Sequence, residues 1–219
     1  MNKDKIILFD LDGTLLNTNE LIIKSFQHTL KKVLDLEMSS EDLTPYFGET
    51  LQTTLRRFDK NKVDEMIQVY RQYNQQKHDE LVKPFPKVKE TLLRLNNLGC
   101  RLGIITSKSK KMCIKGLDLF QLTDLFDVIV AMEDTKHHKP SPDPILKAME
   151  KLKLQQKNDI YYVGDSPFDI IAARSAGIVP IGVKWSERFE EIKELEPLLI
   201  NSISDIEDIV SKSNTKIAK

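Results

Sequence analysis

Asp10, Asp12, Thr106, Lys139, Asp165 and Asp169 all stand at or just beyond the end of an apolar run, where their side chains could act together. The first pair closes the run Ile6-Ile7-Leu8-Phe9. Residues two apart in a strand point to the same side, so Asp10 and Asp12 are presented near each other. Gly13 lets the chain turn sharply straight after them. Two adjacent carboxylates repel and need a cation, a shared proton or a donor-rich partner. Thr106 ends the run Leu102-Gly103-Ile104-Ile105, with Ser107 and Lys108 next. Lys139 lies in the Pro-rich loop after Val128-Ile129-Val130. Asp165 follows Ile160-Tyr161-Tyr162-Val163-Gly164, and Asp169 comes a helical turn later. Carboxylates gathered without cysteines suit a hard divalent cation, Mg²⁺ first. A lysine and a threonine opposite them suit the oxygens of a phosphoryl group.

These residues need one scaffold. Charge-free apolar runs of this length read as strands of a parallel sheet covered on both faces. Beyond residue 83, such runs alternate with helical patterns: 88–98, 110–120, 142–154, 169–176 and 203–211 as helices, 179–183 and 198–200 as further strands. That alternation implies right-handed crossovers and a parallel sheet. All the polar strand ends then fall on its C-terminal edge, where open α/β sheets bind ligands. Residues 16–82 contain no convincing strand. Leu21, Ile22, Phe26, Leu30, Val33 and Leu34 form a helical stripe, Ser39 to Asp42 resembles a helix start, and 49–58 and 62–81 read as further helices. Pro84 and Pro86 close this block. The expected architecture is α/β: a Rossmann-like parallel sheet sandwiched by helices, formed by 1–15 and 83–219, with an all-helical insert over 16–82. An insert leaving the sheet beside Asp10 and Asp12 is a natural lid. Leu16 to Asn19, Pro84 and Pro86 are its expected hinges. The tail from Lys212 to Lys219 is expected to fray.

Bulk properties exclude other classes. Of 219 residues, 40% are apolar and 30% charged, as in ordinary globular proteins. Lys plus Arg equals Asp plus Glu at 33 each, which gives no sign of nucleic-acid or anionic-membrane binding. The residues after Met1 are polar and the next apolar run is too short for a signal segment or a span, so the expected location is cytoplasmic. Cys100 and Cys113 have neither metal spacing nor a disulfide pattern and read as small buried hydrophobes. His28, His78, His137 and His138 form no metal cluster. An EF-hand reading of Asp10-Leu11-Asp12-Gly13 fails, because that loop places its glycine at position six.

Asp-Leu-Asp-Gly-Thr, then Thr106, Lys139 and Gly-Asp-x-x-x-Asp, in this order, resemble the four motifs of the haloacid dehalogenase-like phosphatases. The helical insert resembles that family's cap of the first type. The resemblance implies that Asp10 is a nucleophile forming an aspartyl-phosphate. It implies that Asp12 is the general acid and base, with its backbone carbonyl on Mg²⁺. Asp165 becomes the second carboxylate on the metal, and Asp169 acts in the metal's outer environment. Lys139 offsets the charge of Asp10 and the phosphoryl oxygens, and Thr106 donates to one of those oxygens. Purely structural roles compete at some positions: Asp169 or Ser107 as helix N-caps, and Lys108 as a solvated surface charge.

Specificity rests on the insert. Asn17-Thr18-Asn19-Glu20-Leu21-Ile22, Met66-Ile67-x-x-Tyr70-Arg71, Lys115-Gly116-Leu117 and Gly182-Val183-x-Trp185 resemble the PpaX-type pyrophosphatases within this family. Asn17 stands where phosphoglycolate phosphatases commonly carry Asp. The loop Gly48-Glu49-Thr50 departs from the pyrophosphatase pattern, which often has Pro after the glycine. That loop usually faces the substrate, so Gly48, Glu49, Thr50, Ser107 and Lys108 are the expected substrate contacts, and Arg56, Arg57 and Arg71 are the cations that could reach a second phosphate. A small phosphorylated substrate, most simply pyrophosphate, and a monomer or weak dimer are expected. Phosphoglycolate or sugar-phosphate hydrolysis and phosphoglucomutase-like transfer are the alternatives on the same fold. A receiver-type switch uses similar residues, but there the phosphorylated Asp follows a later strand.

Overall fold

The computed structural model describes residues 5–154 and 159–212. Of the tail expected to fray, residues 213–219 lie outside the described residues.

The chain begins with β1 (Ile6–Phe9) and β2 (Leu16–Asn17). Helices α1 (Asn19–Leu34), α2 (Ser40–Leu43), α3 (Leu51–Phe58) and α4 (Val63–Leu81) follow, and β3 (Lys83–Pro84) returns. The alternating part comprises α5 (Val88–Asn97), β4 (Arg101–Ile105), α6 (Lys110–Leu119), β5 (Val128–Val130), α7 (Asp143–Lys151), β6 (Ile160–Gly164) and α8 (Pro167–Ser175). It ends with β7 (Val179–Val183), α9 (Phe189–Glu194), β8 (Leu198–Ile200) and α10 (Asp205–Lys212).

The main sheet is parallel, in the order β5-β4-β1-β6-β7-β8. β1 is central: Phe9 lies opposite Ile104 on one side and Val163 on the other. The chain builds β4 and β5 outward from β1, then crosses back to place β6 against its other edge. β1 and β6 therefore flank the switch point, where a crevice opens at the strand ends.

The apolar runs lack alternation because both faces are covered. Ile7 and Phe9 pack with Leu92 of α5, Leu117 of α6 and Ile206 of α10. Ile6 and Leu8 point the other way, against Ile145 of α7 and Ala172 of α8. The helices between β2 and β3 bury a core of their own, built from Phe26, Leu30, Leu43, Leu55 and Met66. Each such side chain, fully buried, contributes about 1.5–3 kcal/mol.

The sequence predicts no strand over 16–82, but the structure has one at its start. Leu16 and Asn17 pair antiparallel with Pro84 and Lys83. Two-residue strands carry no periodicity, and their partner lies a whole insert away, so only the folded chain reveals them. They clamp the outgoing and returning segments side by side at the positions expected to act as hinges.

The cysteines behave as small hydrophobes: Cys100 and Cys113 are free and buried. His28 stacks on Tyr73, while His78 is buried with Nδ1 2.7 Å from the Asp79 carboxylate. Burial holds His78 below the usual histidine range. Among the described residues, no helix is long and apolar enough to cross a membrane.

Candidate active site

The end of β1 sets the site. The Asp10 amide donates to Val163 O at 2.8 Å, extending the β1–β6 ladder one residue beyond the strand and fixing Asp10 beside the end of β6. Gly13 then turns with φ +81°, and a Cβ there would lie 2.0 Å from Asp165 Oδ2. A side chain at this position would displace Asp165, so the glycine supplies both the turn and the room. The Thr14 hydroxyl lies 3.4 Å from Asp165 Oδ1, and Trp185 Nε1 donates to Gly13 O at 3.0 Å.

Asp10, Asp165 and Asp169 are buried, and each offers a carboxylate oxygen within 4.8 Å of the others. Lys139 enters this group from the loop after β5. Its Nζ donates to Asp10 Oδ1 and Asp169 Oδ1, both at 2.7 Å. Burial outweighs the lysine's attraction and pushes the Asp10 carboxyl up to about 7. Burial, with Asp10 and Asp169 nearby, likewise raises Asp165 well above the carboxylate range. Burial opposes the charge on Lys139, but the two aspartates overcome it and hold the ammonium protonated far above its usual range. Three buried carboxyl groups thus share one ammonium, and with no further cation burial favours the protonated forms of Asp10 and Asp165.

Asp169 is not the N-cap of its helix. Ser166 caps α8, Pro167 takes the first helical position, and Asp169 is the third, with its Oδ2 accepting from Ser166 N at 3.0 Å and Ser166 Oγ at 2.8 Å. This capping box fixes one carboxylate oxygen and leaves the other for Lys139.

Thr106 is buried beyond β4, its amide donating to Val130 O at 3.0 Å and its hydroxyl accepting from Lys108 N at 3.1 Å. Lys108 is not a solvated charge: its Nζ sits 2.7 Å from Asp12 Oδ1. Asp12, expected to meet the metal through its backbone carbonyl, directs its carboxylate to Lys108, and that carboxylate is not part of the Asp10–Asp165–Asp169 cluster. Ser107 does not cap the following helix, since the cap position of α6 is Ser109. Its hydroxyl instead donates to Gly48 O at 3.2 Å, joining the sheet edge to the helical insert.

Gly48 and Glu49 line the cavity above Asp10, together with Arg71. Gly48 has φ +91°, and a Cβ would meet Ser166 Oγ at 2.8 Å, so the insert loop rests directly on the start of α8. The Glu49 carboxylate is matched within the insert: Oε1 lies 2.6 Å from Arg57 Nη2 and Oε2 accepts from Thr54 at 3.1 Å. Arg57 is thus committed to Glu49. Thr50 is the N-cap of α3, bonded to Thr53, and Arg56 is exposed; neither is among the cavity's lining residues.

Sequence reasoning missed Tyr162 and Arg188. The Tyr162 hydroxyl accepts from Lys139 Nζ at 3.1 Å and lies 3.1 Å from both Ile105 O and Asp169 Oδ1. Inside a buried strand its ring reads as core, and no local pattern marks the hydroxyl. Arg188 is paired with Glu191 at 2.6 Å, stands over the Phe168 ring, and donates to Phe47 O at 3.0 Å. No spacing signal could have found that contact, because it joins segments far apart in the chain.

The family model described as haloacid dehalogenase-like hydrolase matches residues 7–183. A Bacillus mycoides protein named pyrophosphatase PpaX is 39% identical over 214 residues, covering 97% of this chain and 99% of its own. A PpaX-named protein of Caldanaerobacter subterraneus subsp. tengcongensis is 48% identical over 192 residues, covering 87% of each chain. A Haemophilus somnus crystal structure described as a predicted phosphoglycolate phosphatase is similar with a TM-score of 0.83 at 28% identity, covering 95% of this chain and 99% of that one.

Proposed function

Since the chain belongs to the haloacid dehalogenase-like hydrolase family, we propose that it is a Mg²⁺-dependent phosphohydrolase acting through an aspartyl-phosphate, with pyrophosphate as its leading substrate. The observation that carries this reading is the setting of Asp10. It is a buried carboxylate on the floor of a cavity of about 470 Å³, held by Lys139 at 2.7 Å and flanked by Asp165 and Asp169.

The residues fit Mg²⁺. The clustered donors are carboxylate oxygens, hard ligands of the kind Mg²⁺ takes, and a bound cation would favour the ionised forms that burial disfavours. Asp10 and Asp165 would hold the ion with the Asp12 backbone carbonyl, and Asp169 would orient its surroundings. When bound, the ion supplies charge neutralisation between Asp10 and the incoming phosphoryl group.

In this mechanism an Asp10 carboxylate oxygen attacks phosphorus. Thr106 donates to a non-bridging oxygen while Lys139 stabilises the charge around the new bond. Asp12 protonates the leaving oxygen, then takes a proton from the water that releases phosphate from Asp10. Lys108 fixes the direction of the Asp12 carboxylate. Tyr162 holds Lys139 in line, so Tyr162→Phe is expected to lower kcat about tenfold with KM within about twofold, as for a lost neutral hydrogen bond to a group acting in the transition state. Steady-state kinetics on the variant and parent checks this, and an unchanged kcat refutes the positioning role.

Phosphate release with Mg²⁺ tests the whole reading on pyrophosphate, phosphoglycolate and a set of sugar phosphates. Highest kcat/KM on pyrophosphate supports it. Preference for an organic ester keeps the mechanism and overturns the specificity. Activity undiminished by removing the metal overturns the Mg²⁺ assignment.

A further inference from the structure

Four consecutive side chains after β7 reach both the insert and the loops that carry the reacting carboxyl groups. Trp185 Nε1 donates to Gly13 O, just beyond Asp12, and its ring packs on Phe85, just beyond β3, with 5.5 Å between centroids. Ser186 Oγ donates to Asp165 O and accepts from Arg188 N at 2.8 Å. Glu187 Oε1 accepts from Asn19 Nδ2, at the start of α1, at 3.1 Å. Arg188 Nη1 donates to Phe47 O at 3.0 Å.

The two bonds to the insert are unequal. The Asn19–Glu187 pair is exposed, and water competes for both groups. The Arg188 side chain is only 9% exposed. Its Nε and Nη2 bond Glu191 Oε1 at 2.8 Å and Oε2 at 2.6 Å, and the guanidinium carbon stands 4.9 Å from the centre of the Phe168 ring. One edge and one face of the guanidinium are thus fixed without the insert, and Nη1 is left aimed at Phe47 O. A fork set in advance loses little freedom when it bonds, and a charged donor bonds more strongly than a neutral one. The same Phe168 ring backs the neighbouring residue, since a Cβ on Gly48 would lie 3.2 Å from Phe168 Cδ2. Loop 47–49 therefore rests on Phe168 and is tethered by Arg188. All three loop residues line the cavity with Asp10, whereas Arg188 is not among its lining residues.

We propose that Arg188 is a positioning residue of the reaction: it holds loop 47–49 in place over Asp10, and Ser186 keys that hold to the main chain of Asp165. The proposal rests on the phosphohydrolase reading above. Arg188 touches neither the substrate nor the reacting atoms. It keeps populated the docked loop that a bound substrate meets, so its loss is felt in binding more than in the chemical step.

Arg188→Met tests this, because it removes the donor and keeps a long side chain beside Phe168. On the phosphate that the parent protein prefers, with Mg²⁺, KM should rise about tenfold with kcat within about threefold, as for one lost charge-assisted hydrogen bond. Without substrate, amide hydrogen exchange over 44–51 should quicken about tenfold while exchange in α7 stays as in the parent. A merely structural role would instead lower kcat and the melting temperature together and quicken exchange in α7 as well. Arg188→Lys keeps the charge but cannot serve Glu191 and Phe47 with one planar fork, so its KM and its exchange should fall between those of the parent and Arg188→Met. That variant carries the test alone if the methionine protein does not fold. A parent-like KM in either variant overturns the proposal, as does a raised KM with exchange over 44–51 unmoved. No turnover of any phosphate by the folded parent is the failure of the phosphohydrolase reading, and the positioning role falls with it.

Discussion

Asp10→Asn is expected to reduce phosphate release by about ten-thousand-fold or more while the protein stays folded, the scale seen when a nucleophile is removed. The amide has nearly the carboxylate's volume and enters the same buried space, but it is too weak a nucleophile to form the acyl phosphate. The stability outcome separates this from simple damage. In the parent protein, burial drives the Asp10 pKa up to about 7, so the ionised form is disfavoured by the fold. Replacing it with a neutral group removes that cost and leaves Lys139 bonded to Asp169 at 2.7 Å. The variant should therefore melt at the parent's temperature or above, measured without metal at neutral pH. Lost activity with an intact melting transition identifies Asp10 as the nucleophile; surviving turnover refutes that assignment.

Lys139→Met should fail in both activity and stability. The ammonium is the buried cation between Asp10 and Asp169, 2.7 Å from each. Methionine fills much of the lysine's length but leaves two buried carboxylates facing each other with no positive charge between them. Removing one partner of a buried ion pair typically costs about 3–5 kcal/mol. Turnover should also fall by about a thousandfold or more, since the charge that stabilises the transferring group is gone. Chemical denaturation with and without Mg²⁺ checks the stability arm, and phosphate release checks the other. A variant as stable as the parent in metal-free buffer would show that Lys139 does not offset the aspartates.

The sequence marks these residues and pairs Lys139 with Asp10, but only the folded chain shows that Lys139 also holds Asp169. Asp10, Thr106 and Asp165 were legible because each interrupts an uncharged run that packs on both faces, at Phe9, Ile105 and Gly164. A polar group at such a strand end has little structural reason to be there. The α/β order was legible for the same reason, since strand and helix periods differ. What escaped was set by distant segments. Lys108 is ambiguous as a surface lysine until the loop after β4 folds against Asp12. Glu49 reads as a threat to an anionic substrate until α3 turns Arg57 back onto it. Thr50 lies in the right loop, yet its hydroxyl is used in starting α3. Tyr162 is one of two adjacent tyrosines in β6, and only the pleat decides which of them reaches Lys139.

The loop at Phe47 and Gly48 meets the sheet edge through main-chain oxygens, taken by Arg188 and Ser107 from opposite sides of the centre. Carbonyl groups are the same whatever side chain the residue bears. Attachment of this loop is therefore largely independent of the side chains that line the cavity, with Gly48 as the exception because a Cβ would strike Ser166. Positions such as Tyr46, Glu49 and Leu51 can change identity without breaking either bond. Two functions that share one loop, docking and selection, are in this way carried by different atoms. Mutational drift can re-aim the enzyme toward a new leaving group while the assembly that shelters the reacting phosphorus stays as it is.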